Sequence, residues 1–256
     1  MEPVVSGGFV WRHTPAGRVI VSTALDPVAP HVFSSRDVSP AGARSVASAS
    51  VAAVFGVTRR EVVSVRQVHG RHVVTVAPGR DLAADTEADA IVSTDPDRVV
   101  LVRIADCVPI LLADVHHRAV AAVHAGWRGT AAGVVMAAID ALSDGGVEPG
   151  DLVAAIGPCI GACCYEVDNE VRDAFEREHG GQSAGWFSRS DRQDRYRLDL
   201  GRANRDQLVR AGVNPGRVHD AAACTFDGSD AWHSHRRDGE AAGRMVAAIR
   251  LVRPVS

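Results

Sequence analysis

From residue 61 onward the chain alternates between two textures. Short runs that are apolar at nearly every position read as strands covered on both faces. Longer runs with apolar residues three and four apart read as helices. The strand-like runs are residues 61–69, which stop at Gly70, then 72–76, 90–94, 99–106, 109–114, 119–125 and 152–157. The helical runs are residues 130–142, which meet a D-G-G stop, 167–178, 198–211 with Gly212 behind them, and 239–252. Residues 39–57, rich in alanine and serine, read as a loop leading into a helix; no proline-rich or charged run marks a linker. Interleaved strands and helices predict an α+β or α/β fold with a central β core covered by helices, as one domain over residues 1–256.

Three of the strand ends carry chemistry. Q-V-H-G places His69 before a glycine, I-A-D-C-V-P places Cys107 between an acid and a proline, and V-H-A-G-W-R-G places His124 at a third strand end. Side chains that emerge where a strand leaves its sheet are well placed for a site. Two imidazoles and a thiolate are a zinc ligand set, and a catalytic zinc keeps its fourth position open. Asp106 is placed to hold a ligand or act as a base. The separations, 38 residues from His69 to Cys107 and 17 from Cys107 to His124, match no local zinc-finger spacing. The same residues also read as a thiol dyad without metal, Cys107 as nucleophile and either histidine as base.

Two further clusters stand out. G-P-C-I-G-A-C-C-Y-E-V, residues 157–167, follows a buried strand, and its C-x3-C-C spacing is poor for a chelate, so it reads as a tight backbone loop. Near the end, W-H-S-H-R-R-D-G sets Ser234 beside Arg236 and Arg237, a candidate anion site.

Composition narrows the classes. The chain has 256 residues and a net charge of -3, so neither nucleic acid nor an anionic membrane is indicated as a partner. Lysine is absent and all 28 basic residues are arginine, which excludes Schiff-base and P-loop lysines and leaves arginine forks and backbone amides to hold anions. No apolar stretch of about 18 residues occurs, and no signal-peptide pattern opens the chain. Five cysteines, two of them adjacent, make a poor disulfide framework; the expectation is a cytoplasmic protein with reduced thiols.

Taken together, Q-V-H-G, A-D-C-V-P-I, A-A-V-H-A-G-W-R-G-T, G-P-C-I-G-A-C-C-Y-E-V, D-L-G-R-A-N-R-D-Q-L and C-T-F…S-H-R-R-D-G…G-R-M resemble the laccase-domain family, in that family's order, from about residue 31 to residue 245. The family is variously labelled polyphenol oxidase, peptidoglycan editing factor and zinc-dependent purine nucleoside phosphorylase. The resemblance implies a compact layered fold of the αββα type. It implies one metal, zinc rather than copper, on His69, Cys107 and His124. It also implies phosphorolysis of adenosine, inosine or methylthioadenosine, and deamination of adenosine. Phosphate would then fall to Arg36, Arg128, Ser234 and Arg236, and Trp127 would either stack on a base or plug the turn as a core residue. Arg128 has a rival role, pairing with Asp106 to hold its loop. Gly126 and Gly129 would permit the tight exit from the strand, and Thr130 would cap the helix that follows.

The chain departs from the family's early motif: H-V-F-S-S-R-D-V-S keeps Arg36 but lacks the glycine pair and asparagine, and S-H-R-R carries His235 where the family has an aromatic residue. Three rival functions remain. One is a thiol hydrolase editing peptidoglycan precursors. Another is a copper phenol oxidase, disfavoured because the chain has one H-x-H pair, His233 and His235, outside the His69 set. The last is a binding module with a structural zinc, which would need a fourth ligand.

Overall fold

A computed structural model describes residues 2–38 and 44–252. In chain order the strands are β1 (Phe9–Thr14), β2 (Gly17–Ser22), β3 (His31–Ser34), β4 (Val62–Val63), β5 (Val73–Val76), β6 (Ala90–Ser93), β7 (Val99–Ile104), β8 (Val108–Asp114), β9 (Val120–Ala125), β10 (Leu152–Ile156), β11 (Glu166–Val167), β12 (Phe187–Arg189), β13 (Tyr196–Leu198), β14 (Val218–Asp220) and β15 (Met245–Arg250). The helices are α1 (Arg44–Phe55), α2 (Trp127–Ala131), α3 (Val134–Asp144), α4 (Asn169–His179), α5 (Leu200–Arg210) and α6 (His235–Asp238).

Two six-stranded sheets stack face to face. One runs β1-β2-β3-β15-β7-β4 and the other β14-β10-β8-β9-β6-β5; a small third sheet runs β11-β13-β12. The all-apolar strands make this possible because each side of a sheet needs a cover. In β7, Val100 and Val102 face the partner sheet while Val99 and Leu101 face α1. In β8, Leu111 and Ala113 face the partner sheet while Ile110 and Leu112 face the helical layer. The core is therefore three apolar layers between α1, the two sheets, and α3 with α5, the αββα arrangement.

Several expected elements change. Of residues 61–69 only β4 is a strand; beyond it the Gln67 side chain takes over the pairing with β7, donating to the Arg103 carbonyl at 2.8 Å and accepting from the Arg103 amide at 2.9 Å. The expected helix at residues 239–252 is β15, inserted between β3 and β7. The helix expected from Thr130 begins at Trp127 and breaks at Gly133, whose φ of 79° is left-handed, so the run divides into α2 and α3. Thr130 is no cap. It is buried inside α2, and Asn204 and Gln207 of α5 donate to its hydroxyl and its carbonyl. The predicted D-G-G stop does end α3 at Asp144, with Gly146 at φ 84°. Three strands, β1 to β3, precede the first run recognised in the pattern. The expected loop into a helix ends in α1; its residues 39–43 lie outside the described residues.

Candidate metal centre

The chain crosses from one sheet to the other between β7 and β8, and Cys107 sits on that crossing. Its neighbour Asp106 adopts φ 85°, unusual for a residue with a side chain. His124 is the second-last residue of β9, and His69 stands on the turn between β4 and β5 with φ 60°. The sulfur and the ring nitrogens of these three residues lie within 4.8 Å of one another. The two imidazoles meet edge to face, ring centres 4.9 Å apart.

Gly126 and Gly129 are required by close approach. A Cβ on Gly126 would stand 3.0 Å from His69 Cδ2 and 3.1 Å from Cys107 Sγ; one on Gly129 would stand 2.8 Å from the Gly70 carbonyl oxygen. The short strand exit thus brings the turn of His69 against the start of α2.

Asp89, just ahead of β6, organises the cluster although no motif marked it. Its Oδ1 accepts from His124 Nδ1 at 2.8 Å and from the His69 amide at 2.9 Å, while Oδ2 accepts from the amides of Gly70 at 2.6 Å and Val68 at 3.3 Å. One buried carboxylate therefore orients the His124 ring, leaves its Nε2 for an ion, and shapes the turn that carries His69. Burial alone would raise the Asp89 carboxyl, but the His124 and Gly70 donors hold it below its ordinary value. Burial likewise pushes the Cys107 thiol up, and His124 and His69 more than offset this, holding it at about 6. His124, despite burial, is raised to about 9 by Cys107 and Asp89. Each group favours the charged form of the other: His124 lowers the Cys107 thiol, and Cys107 raises the His124 imidazole. A divalent cation bound there would take the place of a proton.

A cavity of about 250 Å³ opens onto the cluster. Besides His69, Cys107 and Asp106 it is lined by Trp127, Arg128, Tyr165, His235 and Arg236. The Arg128 guanidinium lies 4.1 Å over the Trp127 ring, not on Asp106 as its rival role would have it. Both oxygens of Asp106 are engaged elsewhere: Oδ1 accepts from Thr225 Oγ1 and Oδ2 from the Arg236 amide, each at 2.6 Å. Arg236 stacks its guanidinium 5.0 Å from the Tyr165 ring and donates to the Glu166 carbonyl. Arg36 and Ser234 stand apart from this cavity. Arg36 donates to the Ser229 carbonyl at 2.6 Å. Ser234 is fully buried and caps α6, its hydroxyl accepting from the Arg237 amide. Tyr165 and Asp89 are the site residues that sequence reasoning missed. The only signal for Asp89 is an acid placed at the mouth of an apolar run.

A two-sheet sandwich with helices outside and a mononuclear His-Cys-His cluster at one rim defines a class: layered αβ proteins with a candidate metal centre open to a small-molecule cavity. The chain belongs to the family described as multi-copper polyphenol oxidoreductase laccase, whose model matches residues 36–252. Among curated relatives, a purine nucleoside phosphorylase of Bacteroides thetaiotaomicron is 37% identical over 64% of this chain and 60% of its own length. One of Pseudomonas aeruginosa is 38% identical over 72% of each chain. Of solved structures, the hypothetical protein YfiH of Bacillus licheniformis superposes with a TM-score of 0.84 at 27% identity, over 91% of this chain and 96% of that one.

Proposed function

We propose that this protein is a zinc-dependent purine nucleoside phosphorylase, converting adenosine or inosine and phosphate to the free base and ribose 1-phosphate. One observation carries the reading. A single cavity joins His69 and Cys107, with His124 buried beside them, to two guanidinium groups, Arg128 and Arg236, and to two aromatic side chains, Trp127 and Tyr165. The relatives named as phosphorylases support it.

The donor set suits zinc. Two imidazoles and a thiolate fill three tetrahedral positions and leave the fourth open. Copper on the same three donors is usually completed by an axial thioether. Met136 lines a different cavity and Met245 is buried in the core. Bound there, zinc would supply a Lewis acid for a substrate oxygen or an acidified water.

The chain's own groups do the rest. Arg128 and Arg236 gather phosphate by charge-assisted hydrogen bonds. Trp127 and Tyr165 offer faces for a purine. Asp106, through the Arg236 amide and Thr225, holds the arginine at the cavity wall. A phosphate oxygen attacks C1′ as the bond to the base breaks, and the base leaves with the bonding electrons and takes up a proton. Adenosine deamination in the same cavity would instead place water on C6 and release ammonia. The depressed Cys107 thiol favours a second reading, a cysteine nucleophile acting without metal on wall precursors.

The deciding experiment incubates zinc-loaded protein with adenosine, with and without phosphate, beside Cys107→Ala, and separates the products by chromatography. Adenine that needs phosphate and disappears in the variant is the expected result. Inosine identifies deamination. No product in any sample sinks the purine reading and leaves the thiol hydrolase.

A further inference from the structure

A second cluster lies outside the centre described above. Cys163 and Cys164 belong to the loop after β10; Cys224 and Asp227 belong to the turn after β14. Their ligand atoms all lie within 4.8 Å of one another. The spacing C-x3-C-C has no chelating logic alone, but the fold sets it against C-x2-D, a spacing that presents two side chains on one side of a tight turn. That turn is closed by the Gly228 amide donating to the Cys224 carbonyl at 3.0 Å.

We propose that Cys163, Cys164, Cys224 and Asp227 bind a second zinc ion, a structural one, which ties the two loops together. Four donors from protein close a tetrahedron with no position left for substrate, the pattern of structural zinc. The edges have the right size. Cys163 and Cys164 sulfurs are 3.2 Å apart, and they stand 3.4 and 3.3 Å from the two Asp227 oxygens. Bonds of about 2.3 Å to sulfur and 2.0 Å to oxygen need edges of about 3.5–3.8 Å, a small relaxation. Sulfurs at 3.2 Å are not bonded to each other, and all five cysteines are free thiols.

The surroundings are those of a thiolate site. The Gly161 amide points at Cys224 Sγ at 3.3 Å, a donor that steadies a charged sulfur. A Cβ on Gly161 would stand 3.2 Å from Cys163 Sγ and 3.5 Å from Cys224 Sγ, so the glycine keeps the sulfurs' space open. Arg197 donates to the Cys163 carbonyl and brings positive charge to the loop. Without an ion Cys163 and Cys164 are thiols that donate to the two Asp227 oxygens, and an ion would take the place of those protons. On binding, the three thiols release three protons to solvent and the carboxylate binds as it is, so no oxidant or reductant is needed.

The clamp bears on the cavity. Ile160 and Tyr165, on either side of the paired cysteines, line it, and Thr225, beside Cys224, bonds Asp106. The ion would fix Ile160 and Tyr165 in the cavity wall.

Cobalt titration of the full, reduced, metal-free chain tests this. Two equivalents are expected to bind, with thiolate-to-cobalt absorption equal to four sulfur ligands in total. Cys107→Ala should keep one equivalent with about three-quarters of that absorption, and Cys224→Ser one equivalent at the His-Cys-His centre. The wild-type titration needs no variant to fold. Saturation at one equivalent with the absorption of a single thiolate would overturn the proposal, as would recovery of Cys163 and Cys164 as a disulfide from freshly reduced protein. Neither outcome depends on phosphorolysis, so this site and the proposed activity fail separately.

Discussion

A buried histidine far from the metal centre records what burial does to a base. His31 accepts from the Ser22 amide through Nε2 at 2.9 Å and donates through Nδ1 to the Ala29 carbonyl. Burial lowers its pKa from 6.5 to about 4. Between those values the unfolded chain binds a proton that the folded chain refuses. Stability is therefore intact at neutral pH and falls as pH drops from 6.5 towards 4, by about 3 kcal/mol at the acid end. Denaturation of wild type and His31→Gln at pH 7 and pH 4.5 measures it: the stability gap between the two pH values should shrink in the variant, and an unchanged gap refutes the account. Asp89 makes the opposite case, a charge kept because every lone pair is used. Asp89→Asn should weaken zinc retention about 10–100-fold, read by chelator competition, since it misdirects the His124 ring and loosens the His69 turn. The His-Cys-His donors were legible as residues because each stands at or near the end of a strand-like run. Asp89 was not, because nothing local distinguishes a carboxylate that gathers amides from 20 residues away from one that faces water.

At the scale of elements, chain breaks matter more than the elements themselves. Gly133 is a glycine for its left-handed φ and has nothing within 4 Å of its missing Cβ, whereas Gly126 is one because His69 and Cys107 press on it. Gly133→Ala is expected to cost about 1 kcal/mol in thermal unfolding and leave zinc content unchanged. Gly126→Ala should lose zinc and about 1–3 kcal/mol, because neither ligand can retreat from the new methyl group. Equal zinc content in both variants would refute the distinction. The same contrast explains what the pattern could reveal. A helical period runs straight through Gly133, so one helix was expected where there are two. M-V-A-A-I-R in β15 is apolar enough to suit a buried strand or a buried helix, and length alone does not separate them. The strand runs of β7, β8, β9 and β10 were legible because both faces of each sheet are covered and the apolar run has no interruption.

For the whole molecule, the layered order decides where the candidate site can exist. His69 lies on the first passage from one sheet to the other, between β4 and β5, Cys107 on the third, between β7 and β8, and His124 within the second sheet. The donors converge only when the sheets are packed. Removing residues from 245 onward deletes β15 and leaves β3 and β7 facing each other across a gap in the middle of a sheet. That truncated chain is expected to be insoluble on expression, while the full chain remains in the supernatant. A soluble, zinc-binding truncation would show that the first sheet does not need its central strand.

The placement of β15 also has a consequence in time. Its partner β3 lies more than 200 residues upstream, and all three donors of the metal centre are synthesised well before it. During translation the three donors are therefore present in the chain before the first sheet can close, and they converge only once β15 has been inserted. For that interval β3 and β7 are unpaired edges of apolar strand, the kind of surface that recruits neighbouring chains. Pairing β3 with residues 245–250 closes a long loop late, so the nascent chain, more than the finished one, exposes those edges.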